Sequence, residues 1–451
     1  MLPPGPGLLA FIQAVRTRGF LDAVEQAWRT HGDVFRVGLG ARTLTFAMHP
    51  DAVQQVNVTG RKRYDKRASY DGVRDFLIGE GIAASTGDLW LRQRRLMAPF
   101  FTHSGIRVYA DLMLRDTQRL AERWEDLADA GEEVEIAAEM TRVTASIILK
   151  AMFSTEAMAS IHRMKDAVEI MTAFVSQRMT GLRVPLWVPT ATNRRYIAAR
   201  DYAHGTIAAL IEERRASDPA GWPDDLLSRL MNARDEETGE AMSEALLRDE
   251  SITVFFAGHE TTARTMTFAW YALAAHPEAA ARLHAELDRE LGDGPVTVDA
   301  LRRLPYTLQV VKEVLRLHPP IPFYVRDAVA DDEIGGFTIP SGSAVMLSPY
   351  CTHRHPEIWA DPEAFDPDRW SPEREAQRHR FAYHPFAAGP RTCLGNNFSL
   401  LESHLMLAVL ARRFAPRLRE GFTPRWEMQG VLSLGEGLPM VIARRAPRSF
   451  H

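Results

Sequence analysis

The chain has 451 residues, of which 54 are lysine or arginine and 58 are aspartate or glutamate, and its formal net charge is −4. This balance argues against a nucleic-acid-binding protein, which would usually carry an excess of basic residues. Hydrophobic residues make up 46% of the chain, as in ordinary globular proteins, and a chain of this length could form two domains or one large enzyme domain.

Cysteine content and hydropathy indicate the compartment. Two cysteines are too few for a disulfide framework, and such a chain suits the reducing cytosol. Residues 1–20 carry proline and glycine where a signal peptide would carry a basic segment, and their apolar run is too short to span a bilayer. No other segment offers the roughly 18 uncharged apolar residues of a span. We predict a soluble cytoplasmic protein, with peripheral membrane contact through the N-terminus left open.

The first half of the chain contains a strand signal and then helical patterns. Residues 33–53 alternate apolar and polar side chains around a glycine-containing turn, which predicts a β-hairpin. Apolar residues recur at helical spacing from about residue 111 to 150. Two prolines break the pattern at 183–195, and it resumes over 196–215 before a loop at 216–225.

The second half contains the longest helical pattern. No proline interrupts it from about Ser243 to Ala275, and Pro277 closes it. Its middle is apolar nearly all round, which predicts a buried central helix about 50 Å long. Shorter elements follow, in chain order: strands at 332–350, a loop at 381–395, a helix at 396–414 and a hairpin at 431–445. The pattern indicates a mainly α body with a small β region.

Cys393 lies between Gly389 and Gly395 in the stretch FAAGPRTCLG. Glycine permits close approach to a flat partner, and the helix predicted from Asn396 would bring its positive end near the sulfur, which would lower the thiol pKa. One cysteine is too few for a zinc site or an iron–sulfur cluster, whereas a single axial thiolate suits haem iron. A buried structural cysteine is the alternative interpretation.

This stretch resembles the haem-binding signature of the cytochrome P450 superfamily, F-x-x-G-x-R-x-C-x-G. The matching positions are Phe386, Gly389, Arg391, Cys393 and Gly395. The resemblance implies that Cys393 is the proximal ligand of haem iron, that Arg391 binds a haem propionate and that Phe386 tunes the iron potential. Ala387 and Ser399 depart from the extended motif, which usually has glycine and alanine at these two positions.

A second motif, AGHETT, lies in the middle of the predicted central helix. Gly258 weakens a helix by about 1 kcal/mol relative to alanine, and the Thr261 hydroxyl can bond a backbone carbonyl, so we predict a local widening here. An exposed charged turn is disfavoured by the apolar flanks. The motif resembles the oxygen-binding groove of the same family. That resemblance implies that Ala257 lies beside the haem, that Thr261 hydrogen-bonds dioxygen and an ordered water, and that Glu260 supplies protons.

Further arginine motifs follow the family order. Glu313 and Arg316 lie three residues apart on one predicted helix face, and Arg369 lies in the segment PDRW. By resemblance, these three form a buried structural triad, although such pairs are more often solvated. Trp90 and Arg94 match W-x-x-x-R, and the resemblance implies that they bind a haem propionate. Arg326 stands where another propionate-binding arginine is common.

The resemblance implies the whole architecture and reaction. We expect the cytochrome P450 fold, a triangular prism with one domain over residues 1–451, of the soluble bacterial type. Haem b would lie between the helix around residues 244–275 and the helix following Cys393. The enzyme would be a haem-thiolate monooxygenase that inserts one atom of O2 into an organic substrate by hydroxylation or epoxidation.

Electrons would come from NAD(P)H through a separate ferredoxin or flavodoxin-type donor with its reductase, because too few residues follow Cys393 for a fused redox domain. We expect docking helped by Arg391, Arg412 and Arg413, a monomeric protein and no nucleic-acid partner. Two alternatives stay open: a peroxygenase driven by H2O2, and a non-catalytic haem sensor.

Candidate substrate-binding residues by family position are Phe256, Ala257, Phe323 and Leu434, with the segments 70–82 and 178–187. Their apolar character suggests a terpenoid, carotenoid, fatty acid or polyketide-like substrate. Core packing would give the same pattern in a sequence, so each assignment keeps that alternative. Cys351 lacks the glycine bracket and is interpreted as a packing residue.

Overall fold

The computed structural model describes residues 1–39, 42–154, 158–180, 184–292 and 294–445. Most of these residues are helical. In chain order the helices are α1 (Leu8–Arg18), α2 (Phe20–His31), α3 (Pro50–Gln54), α4 (Asp71–Val73), α5 (Gly87–Met97), α6 (His103–Arg107), α7 (Ala110–Ala130), α8 (Ile136–Phe153), α9 (Met158–Thr180), α10 (Ala191–Ala216), α11 (Leu226–Asn232), α12 (Glu244–Ala275), α13 (Pro277–Leu291), α14 (Pro305–Leu317), α15 (Pro349–Thr352), α16 (Pro372–Ala376) and α17 (Asn396–Ala411).

The strands form a small part of the molecule. They are β1 (Val34–Leu39), β2 (Arg42–Ala47), β3 (Tyr64–Asp65), β4 (Glu133–Glu135), β5 (Tyr324–Ala328), β6 (Asp332–Ile334), β7 (Phe337–Ile339), β8 (Ala344–Leu347), β9 (Arg417–Leu418), β10 (Trp426–Gln429), β11 (Val431–Leu434) and β12 (Pro439–Val441). The largest sheet has the order β1-β2-β8-β5-β3, and β2 pairs with β8 in parallel. The predicted fold class, mainly α with a small β region, is confirmed.

Helix α12 is the predicted central helix, and its bounds agree with the sequence pattern. The Ser243 side chain accepts a hydrogen bond from the Leu246 amide at 3.2 Å, which caps the helix, and Pro277 starts α13 two residues after α12 ends. Most of its side chains are buried, in agreement with an apolar surface all round. The long pattern therefore predicted both the extent and the burial of α12.

The predicted widening of α12 at Gly258 is wrong, because α12 is α-helical without interruption from Glu244 to Ala275. The glycine has another reason. A Cβ atom at position 258 would lie 3.0 Å from the Ile148 side chain on α8, closer than ordinary van der Waals contact. Gly258 thus permits close packing of α8 against α12, and the Thr144 hydroxyl on α8 bonds the carbonyl of His259 at 2.9 Å.

The other predictions of secondary structure had mixed outcomes. The helical spacing at 111–150 is confirmed for two helices, α7 and α8, and the short strand β4 between them was not predicted. The hairpin predicted for the tail is wrong, since β11 pairs with β10 and β12 pairs with β4 and β9. The N-terminal hairpin is confirmed for β1 and β2, which are antiparallel with Val34 opposite Ala47. Within the described residues, no helix is both long and apolar enough to cross a bilayer; cytoplasmic location stays a prediction.

Candidate functional site

The glycine-rich loop places Cys393 directly before α17. A short 3-10 turn over Gly389–Arg391 leads into it, and the Cys393 amide donates to the Phe386 carbonyl at 2.8 Å. Gly389 has φ of +71°, and a Cβ there would collide with the carbonyl of Asn57, so only glycine fits this turn against the neighbouring segment. Ala387 also lies in the left-handed region, with φ of +59°. The family motif usually has glycine at position 387 because glycine adopts this left-handed conformation without strain. Ala387 adopts the same conformation with some backbone strain.

The Cys393 sulfur faces an internal space. Its side chain is accessible to solvent, yet burial is the largest influence on its pKa and raises it. Both observations fit a side chain on the wall of a cavity, away from bulk water. The predicted fall in pKa is wrong, because burial outweighs the opposing effects of the Gly395 amide and the Arg94 charge. Burial therefore favours the neutral thiol, and a bound cation would favour the thiolate.

Four cationic side chains gather beside this loop: Lys66, Arg94, Arg326 and Arg391. Each donates to a backbone carbonyl. Arg94 donates to Thr392 at 2.8 Å, Arg391 to Ser85 at 3.1 Å, Arg326 to Val325 at 2.8 Å, and Lys66 to Ala83. The Arg391 guanidinium also lies over the Trp90 ring, 4.2 Å from its centroid. The structure therefore brings Trp90, Arg94, Arg326 and Arg391 together and adds Lys66, which the sequence analysis missed.

This cationic cluster (Lys66, Arg94, Arg326, Arg391) lacks a matching anion. None of the four forms an ion pair with a carboxylate of the described chain, and the carboxylate that most influences Arg391 is the more distant Asp65. Burial and the neighbouring Arg326 lower the pKa of Arg391 to about 10, and burial lowers that of Arg94. Burial, then Arg391 and Arg326, lowers the pKa of Lys66 well below its usual value. Two ligand carboxylates would relieve this repulsion, and a haem carries two propionates; the cluster and Cys393 together fit that group.

Helix α12 meets α17 next to the predicted oxygen motif. The Thr262 hydroxyl lies 3.1 Å from the Ser399 hydroxyl, six residues after Cys393. Ala257 is exposed on a helix whose residues are mostly buried or half-buried, and the Thr261 hydroxyl donates to the Ala257 carbonyl at 2.8 Å. Glu260 pairs with Arg264 at 3.3 Å. Ala257 and Thr261 thus line an internal space between α12 and the cysteine loop.

Glu402 is a second residue that sequence reasoning missed. It lies on α17, is 1% exposed, and neither carboxyl oxygen has hydrogen-bond geometry with a partner among the described residues. Burial raises its pKa well above the usual value, and the nearby Thr262 hydroxyl opposes that rise. Burial thus favours the protonated form of Glu402. The only sequence signal for Glu402 is its position. It is an acidic residue about two helical turns after the cysteine loop, on a largely apolar helix face.

Glu313, Arg316 and Arg369 form a fully buried charge cluster. The Arg316 guanidinium makes two bonds to the Glu313 carboxylate, at 2.8 and 2.9 Å, and Arg369 lies 3.3 Å from it. The Trp370 indole and the Asp366 amide complete the coordination of the carboxylate at 3.0 and 2.9 Å. Arg316 also donates to three backbone carbonyls of the segment at 353–364. This paired cluster (Glu313, Arg316, Arg369) anchors the chain that leads to the cysteine loop.

The predicted substrate residues are dispersed. Phe256 is half-buried on α12, Leu434 is buried on β11, and the Phe323 ring is 5.2 Å from that of Phe20. A cavity of about 640 Å³ lies between α9 and α10 and is lined by Phe174 and Tyr196 among others, not by Cys393. Part of the predicted segment 178–187 lies outside the described residues.

The predicted segment at 70–82 is fixed to α12. The amides of Glu80 and Ile82 donate to the carboxyl groups of Asp249 and Glu250, each at 3.0 Å. A Cβ at Gly81 would collide with the Thr253 hydroxyl, so this close approach needs glycine. The segment therefore packs directly on α12, roughly one to two turns before Ala257.

Arg391, Arg412 and Arg413 occupy different places in the fold. Arg391 donates to the Ser85 carbonyl. Arg412 bonds the carbonyls of Gly292 and Gly294, and Arg413 lies 4.0 Å from Glu125. Both follow α17, whose 16 residues separate them from the cysteine loop by about 24 Å. The docking role expected of these three arginines stays a prediction. Cys351 is buried, and burial raises its pKa to about 12, as expected of a packing residue.

Comparisons with known proteins agree with this geometry. The family model "Cytochrome P450" matches residues 2–439. "Cyclooctatin synthase" of Streptomyces melanosporofaciens is 36% identical over 90% of this chain and 87% of that protein. "Cyclooctat-9-en-7-ol 5-monooxygenase" of the same organism is 35% identical over 92% of this chain and 89% of that protein. Among solved structures, the cytochrome P450DA heme domain matches with a TM-score of 0.90 and 29% identity, over 99% of both chains.

Proposed function

The chain belongs to the cytochrome P450 family and is a monooxygenase that uses haem iron, O2 and reducing equivalents, and we propose that its substrate is a terpenoid. We further propose haem b as the cofactor, NAD(P)H as the electron source through a ferredoxin or flavodoxin-type donor, a single domain over residues 1–451 and a monomeric protein. The observation that carries the proposal is the buried cationic cluster beside the accessible sulfur of Cys393.

The cationic cluster and the cysteine loop would hold the cofactor. Cys393 would supply the sulfur ligand of the iron, and Arg94, Arg391, Arg326 and Lys66 would hold the propionates, with Trp90 supporting Arg391. Phe386, Gly389 and Gly395 shape the loop around the sulfur. When bound, the haem supplies the activation of O2, which no side chain of the protein can provide. Binding of the propionates by fixed arginine forks orients the group within the site.

Proton delivery falls to Glu260 and Thr261 on α12. The Thr261 hydroxyl donates to the Ala257 carbonyl, so its oxygen lone pairs are free to accept from a water in the internal space. Glu260, the residue before Thr261, is half-buried and lies 3.3 Å from Arg264, so its carboxyl group is accessible to solvent. A placed acid and an alcohol in sequence carry protons to the reacting oxygen and exclude other routes.

A terpenoid is favoured among the apolar classes because of the relatives. One relative is named for the oxygenation of cyclooctat-9-en-7-ol at position 5, and the other is a cyclooctatin synthase. Phe256, Ala257, Phe323 and Leu434 remain our candidates for substrate contact. Apolar side chains at these positions hold such a substrate by burial and keep bulk water from the reacting atom.

The test has two parts, the identity of the haem ligand and the class of substrate. Reduced wild-type protein with CO should give the absorbance of a thiolate-bound haem, and Cys393→Ser should lose it. A panel of cyclic terpene alcohols, fatty acids and macrolides is then titrated against the haem absorption band, and products are formed under ¹⁸O2 with NAD(P)H and a ferredoxin system. We expect saturable shifts and one labelled oxygen with terpene alcohols only.

Other outcomes contradict separate parts of the proposal. An unaltered CO spectrum in Cys393→Ser would overturn the ligand assignment. Turnover of a fatty acid but of no terpenoid would overturn the substrate class. Turnover with H2O2 and none with NAD(P)H and a donor would show a peroxygenase, and no oxidation of any compound would favour a haem sensor. Light scattering during gel filtration tests the monomer.

A further inference from the structure

A group of metal-ligating side chains lies outside the haem site. His49 follows β2 and caps α3, while His355 and Glu357 lie in the turn after α15. One ligand atom from each of the three lies within 4.8 Å of the other two. His355 is buried, His49 is half-buried and Glu357 is exposed. This trio (His49, His355, Glu357) could therefore share one ion that enters from solvent.

Hydrogen bonds orient both histidines. His355 Nε2 lies 3.0 Å from Asp33 Oδ1, and the Trp28 indole donates to the same oxygen at 2.8 Å. His49 Nδ1 accepts from the Asp51 amide at 3.3 Å, which leaves its Nε2 for an ion. His355 Nδ1 accepts from the Glu357 amide at 3.3 Å, so an ion bound there would replace this long hydrogen bond.

The backbone around the trio is fixed. The buried Thr352 hydroxyl donates to the carbonyl of Met48 at 2.6 Å, which joins the two segments that carry the histidines. The rings of His49 and His355 lie edge to face with centroids 5.1 Å apart. Ligand atoms around a zinc ion lie about 3.4 Å apart, at bond lengths near 2.1 Å. The present spacing, within 4.8 Å, exceeds that distance, so binding of an ion would draw the three side chains closer together.

We propose that His49, His355 and Glu357 bind a divalent transition-metal ion of the zinc type. Two imidazoles and one carboxylate are a zinc ligand set, with a fourth position for water, whereas calcium and magnesium prefer oxygen ligands throughout. The ion would join the end of β2 to the segment whose His353 carbonyl accepts from Arg316 at 2.9 Å. The ion would therefore link the N-terminal hairpin to the segment that the paired cluster anchors. The site does not depend on the proposed oxygenation.

The test uses the tag-free, haem-loaded chain and Zn²⁺ alone. Equilibrium dialysis followed by metal analysis should give one saturable ion per chain, and crystals soaked in ZnCl2 should show an anomalous peak between the three side chains. His49→Asn keeps a residue that caps helices well, and Glu357→Gln keeps the shape of the side chain; each should abolish saturable binding. Asp33→Asn, which acts through His355, should weaken affinity roughly 10- to 100-fold.

A neighbouring histidine provides the matched control. His379 Nε2 lies 3.2 Å from Asp51 Oδ1, but His379 does not belong to the trio. His379→Gln should leave the affinity and stoichiometry unchanged. The proposal is overturned if the wild type binds no more Zn²⁺ than the double variant His49→Asn, Glu357→Gln. It is also overturned if His379→Gln lowers binding equally, or if the anomalous peak lies elsewhere.

Discussion

The paired cluster and the cationic cluster both hold inward-facing arginines, but only the paired cluster contains a carboxylate. Glu313 bonds both Arg316 and Arg369, and its oxygens accept from an indole and an amide as well. In the cationic cluster every charged group faces a backbone carbonyl and other cations. Internal charges that pair within the protein indicate a structural role, whereas charges of one sign without a counter-ion indicate where a ligand of the other sign binds.

The largest expected effect comes from breaking the paired cluster. Glu313→Gln leaves two buried guanidinium groups without their carboxylate, and removal of one partner from a buried pair costs about 3–5 kcal/mol. Urea unfolding followed by tryptophan fluorescence should show this loss in free energy of unfolding. Asp368→Asn is the control, because its pair with Arg282 at 2.6 Å is exposed and such pairs contribute about 0–1 kcal/mol. Equal losses in the two variants would contradict the distinction.

Loss of one charged side chain from the cationic cluster should not destabilise the haem-free protein, in contrast to the paired cluster. Arg391→Gln should leave the unfolding free energy of haem-free protein unchanged or raised, because it removes a charge that its neighbours oppose. The same change should weaken haem retention roughly 10- to 100-fold, as expected for loss of a charge-assisted bond. Haem transfer to a scavenger protein measures this, with the exposed Arg282→Gln as control. Destabilisation of the haem-free variant with normal haem retention would reverse the assignment.

Glu250 extends the comparison of the two clusters to a buried carboxyl group. It forms no ion pair with a cation among the described residues. Burial raises its pKa from 4.5 to about 8. The folded state therefore binds the Glu250 proton more tightly than the unfolded chain does. This proton binding contributes its full stabilisation below pH 4.5, and the contribution is lost as the pH rises to about 8. Glu250→Gln should remove this slope, which amounts to a few kcal/mol at most. Urea unfolding from pH 4.5 to 9 measures it. The exposed Glu236→Gln should keep the wild-type profile, and an unchanged slope in Glu250→Gln would contradict the neutral form.

The smallest effect is expected in the loop that joins the two clusters. Ala387 adopts φ of +59°, a conformation that costs a non-glycine residue about 1–2 kcal/mol. Ala387→Gly should therefore raise the free energy of unfolding by about 0.5–1 kcal/mol after the entropic cost of glycine. Ala388→Gly, at an extended and buried position, should lower it by a similar amount. Thermal unfolding of the two variants side by side gives the comparison, and a loss in Ala387→Gly would show that no strain is relieved there.

Local patterns predicted the parts of the fold that depend on neighbours in sequence. The bounds of α12 follow from Ser243 and Pro277, and the first hairpin follows from alternation in one continuous stretch. The tail was mispredicted because β12 finds its partner in β4, about 300 residues away, where no local pattern reports it. The motif likewise drew attention to Gly258, but not to the close helix packing that requires glycine there, since Ile148 is on another helix.

The candidate site divides in the same way. Cys393 and its glycines form one compact motif, so sequence resemblance located the ligand residue directly. Lys66 has no such motif and looks like an ordinary surface lysine in the stretch YDKRAS until the fold buries it beside Arg391. The raised pKa of Cys393 was missed for the same reason, because burial is a property of the assembled cavity and not of the residues on either side.

The parallel pairing of β2 with β8 has a consequence for synthesis on the ribosome. The edge of β2 cannot be covered until residues 344–347 leave the exit tunnel, which takes roughly 15–60 s for about 300 residues at bacterial and eukaryotic elongation rates. An uncovered strand edge invites pairing with other nascent chains during that interval. Cofactor capture waits longer still, since Cys393 emerges after β8. Slowed translation of the C-terminal third should thus favour aggregation over haem incorporation, even though the finished sheet would be unaffected.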